Sequence, residues 1–350
     1  EEMPANVVKR ILQNSTADKR RQINEILRYP DDSAGSIMTT EYVDLKKDMV
    51  VAEAFAHIRA TGLNKETIYT CYVTDENRML LGLVTVRTML LSEASRRIED
   101  IMETNIIFAR TLDDREDVAK QFDKYGFLAL PVVDQENRLV GIVTFDDAMD
   151  VIQEEAEEDF EKMAAMSPSE ESYFKTSVFG HAKHRIVWLL VLMVSATFTG
   201  AIITRYEDAF SAIPMLVAFI PMLMDTGGNC GSQTSTMVIR GMALDEIRLK
   251  DFFKVLFKEF RISLVVGVAL AIVNFIRVYI MYHDVAIGFV TGLSLIGAVI
   301  IAKLLGCILP MTAKKLKLDP AIMASPIITT IVDACSVFLY FNIAVHVLNL

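Results

Sequence analysis

The four cysteines of this 350-residue chain, Cys71, Cys230, Cys307 and Cys335, share no metal-type spacing. Three of them fall in apolar segments, so they read as small core residues of a protein whose soluble part sits in a reducing compartment. A nucleophile–base pair, a glycine-rich phosphate loop and an HExxH helix are all missing, which argues against an enzyme. No secretory leader is visible, because residues 1–30 are charged throughout. The abrupt opening on Glu1-Glu2-Met3-Pro4 leads us to expect a missing upstream domain. Basic residues are in deficit, 35 Lys and Arg against 45 Asp and Glu, a net charge of −10. An acidic surface has the wrong sign for nucleic acid and suits divalent cations.

The length suggests about two or three domains. Charge is unevenly shared: residues 1–185 hold 35 acids and 23 bases, whereas residues 186–350 hold 10 acids and 12 bases. A soluble acidic half is thus joined to a hydrophobic half. Residues 4–28 read as two short helices, and Tyr29-Pro30-Asp31-Asp32 is a break.

From there the chain repeats itself. Ser36-Ile37-Met38-Thr39 recurs as Asp100-Ile101-Met102-Glu103, and the turn Asp75-Glu76-Asn77-Arg78 recurs as Asp134-Gln135-Glu136-Asn137. Each turn joins two β-rich runs, so each unit ends in a hairpin followed by a helix. The pattern over about 36–152 resembles a tandem CBS-domain pair. That resemblance implies an adenine nucleotide, such as ATP, held through a Thr-x-x-Asp after the last strand, where Thr144 and Asp147 stand. The first repeat has Thr85 and Thr88 and lacks the Asp, so one good site is expected. A pair used only for dimerisation is the alternative.

An acidic run, Glu154-Glu155-Ala156-Glu157-Glu158-Asp159, follows directly. At helical spacing Asp147, Asp150, Glu154 and Glu158 share a stripe, where like charges repel. Such oxygen clusters suit Mg2+ or Ca2+, while a plainly solvated face is equally open.

Beyond Arg185 five spans are expected, at 186–204, 209–239, 262–281, 285–309 and 321–348, each near the roughly 20 residues a bilayer requires. Basic residues precede span one (Lys183, Arg185), fill the loop after span two (Arg240, Arg248, Lys250, Lys254, Lys258, Arg261) and follow span four (Lys314, Lys315, Lys317). By the positive-inside rule the amino terminus is cytosolic and the carboxyl terminus outside. Arg277 can snorkel, and the long stem of Lys303 can reach the cytosolic interface.

Two spans carry polar residues that lipid penalises. Asp225, Gly227, Gly228, Asn229 and Gln233 interrupt span two, which is expected to break there and line an ion path or pack closely against another helix. In span five Thr329, Asp333, Ser336 and Tyr340 form one polar stripe. Asp333 lies 12 residues in, roughly 18 Å deep, with no basic partner in its own span. An ion ligand or a structural carboxylate fits there.

The layout as a whole resembles the MgtE family of magnesium channels or transporters: an α-helical membrane protein of five spans with a cytosolic α/β CBS pair. The run Pro221-Met222-Leu223-Met224-Asp225-Thr226-Gly227-Gly228-Asn229 and the run Ser325-Pro326-Ile327-Ile328-Thr329-Thr330-Ile331-Val332-Asp333 carry the likeness. It implies the end of a helical domain over 1–32, a CBS pair over 33–153 (33–98 and 99–153), an acidic plug helix over 154–184 and a pore domain over 185–350. It further implies a plasma-membrane homodimer in which Asp333 holds hydrated Mg2+, assisted by Thr329 and lined by Gly227, Gly228 and Asn229. Sensor acids for cytosolic Mg2+ would be Asp114, Glu116, Asp147, Asp150, Glu155, Glu158 and Asp159. Where some members carry a further acid, this chain has Gly126. A carrier for Mn2+, Co2+ or Ni2+ is a rival, although softer metals recruit His or Cys. A membrane-anchored nucleotide sensor without conduction is another.

Overall fold

The computed structural model describes residues 27–169, 173–207, 211 and 213–349. The two amino-terminal helices expected over 4–28 lie almost wholly outside the described residues. The chain forms two compact units that divide between Ala156 and Glu157.

The first unit is built from the repeat. Strand β1 (Val43–Lys46), helix α1 (Val51–Thr61) and strands β2 (Thr70–Thr74) and β3 (Leu80–Thr85) are followed by the short helix α2 (Val86–Leu90). The second copy comprises β4 (Ala109–Arg110), α3 (Arg115–Tyr125), β5 (Ala129–Val133), β6 (Leu139–Thr144) and α4 (Phe145–Met163). In each sheet the first strand runs parallel to the second, and the second pairs antiparallel with the third. The shared turn chemistry explains the shared shape. Asp75 Oδ1 accepts from the amides of Asn77 and Met79, and Asp134 Oδ1 accepts from those of Glu136 and Arg138. Arg78 and Asn137, at equivalent positions, take positive φ to close the hairpins.

The repeated Met-containing motif has a distinct task. Thr39 bridges to Ile142 in the second repeat, and Glu103 bridges to Leu83 in the first. Each motif therefore clamps the last strand of the other copy. That approach leaves no room for side chains at the two strand glycines. A Cβ at Gly141 would lie 2.9 Å from the Thr39 carbonyl, and one at Gly82 would lie 2.8 Å from that of Glu103. Tyr42, Tyr72, Leu139 and Ile142 fill the space between the copies, with Tyr42 donating to the Leu139 carbonyl at 3.2 Å. Burial pushes the Cys71 thiol up to about 12, so it packs in the core of the first repeat as an inert hydrophobe. Gly126 serves the backbone: at φ 67° it ends α3 in the left-handed region.

Helix α4 starts inside the CBS pair at Phe145 and stops at Met163, where Ala165 turns through positive φ. The second unit then carries α5 (Val178–Arg205), α6 (Ile220–Ala243), α7 (Phe252–Tyr282), α8 (Val285–Lys315) and α9 (Ser325–Leu348). Among the described residues four stretches, Val178–Arg205, Leu249–Tyr282, Val285–Lys315 and Pro320–Leu348, are long and apolar enough to cross a membrane. Helix α6 does not qualify on composition, because Asp225, Asn229, Gln233, Thr234 and Ser235 dilute its apolar residues.

Three expectations need correction. The expected break at the glycines does not occur: α6 is continuous from Ile220 to Ala243, and the irregular stretch lies before it, in a 3-10 turn over Pro214–Phe219. The basic "loop" after span two is mostly helix, since Lys254, Lys258 and Arg261 occupy the first turns of α7. Finally, α9 begins at Ser325 after a 3-10 turn over Pro320–Met323. Asp333 is then about 12 Å, not 18 Å, along a helix about 36 Å long.

The glycine approach between repeats yields a test. Gly141→Ala should destabilise the CBS pair by roughly 1–3 kcal/mol, as overpacking against fixed backbone does. Gly200→Ala, whose Cβ would meet nothing within 4 Å, should not destabilise the protein. Chemical denaturation followed by tyrosine fluorescence distinguishes them; an unchanged midpoint for Gly141→Ala would contradict the clamp.

Candidate functional site

Helices α6 and α9 meet along a seam of small residues. A Cβ at Gly227 would lie 2.9 Å from Ser336 Oγ, one at Gly228 would lie 2.7 Å from Thr329 Cγ2, and one at Gly231 would lie 2.6 Å from Ile328 Cγ2. Glycine is the residue that lets the α6 backbone come this close. The polar stripe of α9 faces this seam and the turn before α6: Ser336 and Tyr340 are buried, and Tyr340 donates to the Leu216 carbonyl at 2.9 Å.

The seam sets Asp333 beside Thr329 and within electrostatic reach of Asp225 on α6. Asp333 is half-buried and Asp225 is exposed. Among the described residues neither carboxylate has a hydrogen-bond or ion-pair partner. Asp225, Asn229 and Gln233, four residues apart, all lie exposed on the side of α6 away from its buried glycines. Thr329 turns its hydroxyl back to the Pro326 carbonyl at 3.0 Å, leaving the carboxylates as the charged groups here. Two acids thus lie on adjacent helices within electrostatic reach of each other; residue order put Asp225 in a stretch expected to line an ion path, but not beside Asp333. Its neighbourhood to Asp333 is tertiary, although its depth in an apolar run already marked it as unusual.

In the first unit Thr144 Oγ1 donates to Asp147 Oδ2 at 2.5 Å, so the Thr-x-x-Asp forms a closed local pair at the start of α4. Thr85 and Thr88 hold the same place in the first repeat, their hydroxyls 2.9 Å apart. A hydrogen bond from Thr144 also holds the Asp146 carboxyl below its usual range.

The acids proposed as sensors are dispersed. Asp114 caps α3, accepting from the amides of Glu116 and Asp117. Glu116 pairs with Lys120 at 2.7 Å. Glu155, with Glu154 and Asp32, surrounds Arg115. Burial disfavours the Arg115 cation, but these three acids outweigh it and hold its pKa above the ordinary value. Glu158 pairs with Lys162, which also meets Asp319 at 2.7 Å. Burial again opposes charge on Lys162, and the hydrogen bonds it donates to Asp319 and Glu158 prevail to raise its pKa. Asp150 is exposed and Asp159 half-buried. Among the described residues no three acids, histidines or cysteines converge as a metal-binding group.

The sequence profile described as MgtE, a divalent cation transporter, matches residues 220–343, and the CBS-domain profile matches residues 34–94 and 98–154. The magnesium transporter MgtE of Bacillus subtilis is 37% identical over 333 residues, 95% of this chain and 73% of the relative. That of Thermus thermophilus is 34% identical over 325 residues, 93% of this chain and 72% of the relative. The chain belongs to the MgtE family. It is a multi-pass membrane protein of that transporter family, with a tandem CBS pair. A crystal structure of the cytosolic domain of the Mg2+ channel MgtE in complex with ATP aligns over 43% of this chain and 60% of that chain, at 39% identity and a TM-score of 0.41. This chain thus spans less than two thirds of that crystallised chain.

One further arrangement escapes a sequence reading. Lys303 of α8 does not snorkel. It is 6% exposed and donates to Thr234 Oγ1 of α6 at 3.1 Å, while the Thr234 hydroxyl donates to Glu259 Oε2 of α7 at 3.0 Å. The Lys303–Glu259 ion pair measures 3.6 Å. One cation, one anion and one hydroxyl therefore tie three helices together beside the glycine seam. Removing either charge alone strands the other in the interior. Lys303→Met or Glu259→Gln should each cost about 3–5 kcal/mol, and the double replacement should recover most of it. Thermal unfolding in detergent measures this, and additive single effects would show that the pair is not coupled.

Proposed function

We propose that the chain conducts Mg2+ across a membrane through a pore formed by two copies, with Asp333 as the main ion-attracting group. The observation that carries this reading is the Asp333 carboxylate, without a partner among the described residues, within electrostatic reach of Asp225 and beside a seam where glycines replace side chains. An intramembrane acid costs roughly 2.5–3.5 kcal/mol on insertion scales, and among the described residues no cation pairs with it. One chain supplies two carboxylates and an exposed polar stripe on α6. A second copy placed against that stripe doubles the acids and screens Asn229 and Gln233 from lipid. Thr329, Gly227, Gly228 and Asn229 would border the path, and Mg2+ would keep much of its hydration, since it sheds water reluctantly.

In this reading α6 crosses the bilayer as the fifth span, its polar face turned from lipid. The basic residues around 240–261 and 314–317 then share the cytosolic side with the CBS pair, and the carboxyl terminus lies outside. Softer divalents are disfavoured. His346 is thirteen residues beyond Asp333 and turns Nδ1 to the Asn342 carbonyl at 2.7 Å. Cys335 is the nearest sulfur in sequence, and no histidine accompanies it.

Cytosolic Mg2+ is the proposed regulator. Asp114, Glu116, Asp147, Asp150, Glu155, Glu158 and Asp159 offer hard oxygen ligands, but Lys120, Arg115 and Lys162 already neutralise several of them. A divalent ion would compete with these internal cations, or gather the acids of two copies. Tighter binding to the closed form would then shift the population towards closure. Thr144 and Asp147 would hold the ribose of an adenine nucleotide such as ATP, tuning the same equilibrium.

Asp333→Asn keeps size and hydrogen-bonding capacity while removing the charge. It should lower Mg2+ flux into liposomes by at least about tenfold, the equivalent of about 1.4 kcal/mol, without loss of assembled protein. Near-normal flux in that variant would sink the site assignment. For the gate, protease protection of the linker around Met166 should rise with Mg2+ in the wild type. Replacing Asp150, Glu155, Glu158 and Asp159 together by their amides should weaken that rise and leave the pore open; unchanged protection would make the cluster a solvated face.

A further inference from the structure

Helix α7 carries a shallow, largely open cleft of about 410 Å³, lined by Lys258, Arg261, Ile262, Val265 and Val266. These positions recur at helical spacing, so the cleft runs along the axis for about 12 Å. Its two ends differ in chemistry. Lys258 and Arg261 are the last charges before an apolar run that continues to Asn274, which places them at the membrane boundary. Ile262, Val265 and Val266 continue from them into the apolar span. Among the described residues neither Lys258 nor Arg261 has a carboxylate partner, unlike Lys254, which pairs with Asp251 at 3.1 Å. The Arg261 guanidinium lies 5.0 Å from the Phe257 ring centre, a contact that steadies it without neutralising it.

We propose that this cleft binds an anionic phospholipid, with the phosphate on Lys258 and Arg261 and an acyl chain along Ile262, Val265 and Val266. Charge complementarity selects the occupant: two uncompensated cations at headgroup level want an anion, and the apolar lower part wants a hydrocarbon chain. A free phosphate would satisfy the first demand and leave the second unmet. The proposal is independent of the ion-path reading, because its cations and its test rest on α7 and not on Asp225 or Asp333.

The test uses the whole chain in mixed phosphatidylcholine and phosphatidylglycerol, with retained lipids read by native mass spectrometry. The wild type should retain phosphatidylglycerol over phosphatidylcholine by roughly tenfold or more, as two interfacial cations predict. The Lys258→Gln/Arg261→Gln double variant should lose that preference. Val265→Trp keeps both charges but fills the cleft, and it should lose the retained lipid too. All three positions are exposed, so the fold should survive, and circular dichroism checks this. The charge-matched Lys315→Gln/Lys317→Gln variant should retain the lipid. The proposal is overturned by no lipid preference in the wild type, by retention in Val265→Trp, or by equal loss in the charge-matched variant. Efficient cross-linking between copies through Val265→Cys would also overturn it, since a second chain would then fill the cleft.

Discussion

Helix α6 must carry one carboxylate, two amides and four glycines while keeping every peptide group paired. In lipid an unpaired peptide group costs several kcal/mol, so the helix stays intact through Gly227, Gly228 and Gly231. Each of these glycines sacrifices roughly 1 kcal/mol of helix propensity relative to alanine. Packing offsets this loss. At Gly306 of α8 a Cβ would lie only 2.5 Å from the Gly231 carbonyl, so α6 and α8 touch backbone to backbone. With the glycines turned inward against α8 and α9, helical geometry turns Asp225, Asn229 and Gln233 the other way. The close packing and the exposed polar stripe are two faces of one pattern.

The second unit places charge in an apolar region in two different ways. Lys303 and Glu259 neutralise each other through Thr234, with side chains 8% and 14% exposed. Such a pair holds helices together, and the network leaves its charge little reason to interact with a passing ion. Asp333 and Asp225 instead repel one another and have no partner among the described residues. Evolutionarily costly features of this kind persist where a mobile cation supplies the missing charge. The contrast between the paired and the unpaired acids, within one helical unit, is the strongest physical support for an ion path along α6 and α9.

Much of this was legible from residue order. Local turn chemistry at Asp75 and Asp134 announced the two hairpins, and unbroken apolar runs announced α5, α8 and most of α7 and α9. Asp333 stood out because no basic residue shares its span. The misreadings have a common cause, namely that neighbours outside the segment decide the outcome. Glycines were expected to break α6, but α8 and α9 hold it helical. Glu259 looked like part of a basic loop, between Lys258 and Arg261, and only the position of Lys303 44 residues later reveals its burial. The start of α9 was misplaced because Pro320 and Pro326 each fit a first turn, and the first of them opens only a 3-10 turn.

The acids of α4 raise a further question of balance. From Asp146 to Glu161 this helix bears a long series of carboxylates, yet it remains helical to Met163. Arg115 from α3 and Lys162 from its own last turn answer part of that repulsion. Partly exposed pairs of this kind are worth about 0–1 kcal/mol each, enough to steady the helix and too little to commit it. On the proposed regulatory reading this weakness is useful. A divalent ion brings two charges where Lys162 or Arg115 brings one, and it displaces contacts that cost little to lose. The resident cations would then set the Mg2+ concentration at which displacement occurs, with stronger internal pairing demanding more Mg2+. The threshold would lie in the cations around the sensor as much as in the acids themselves.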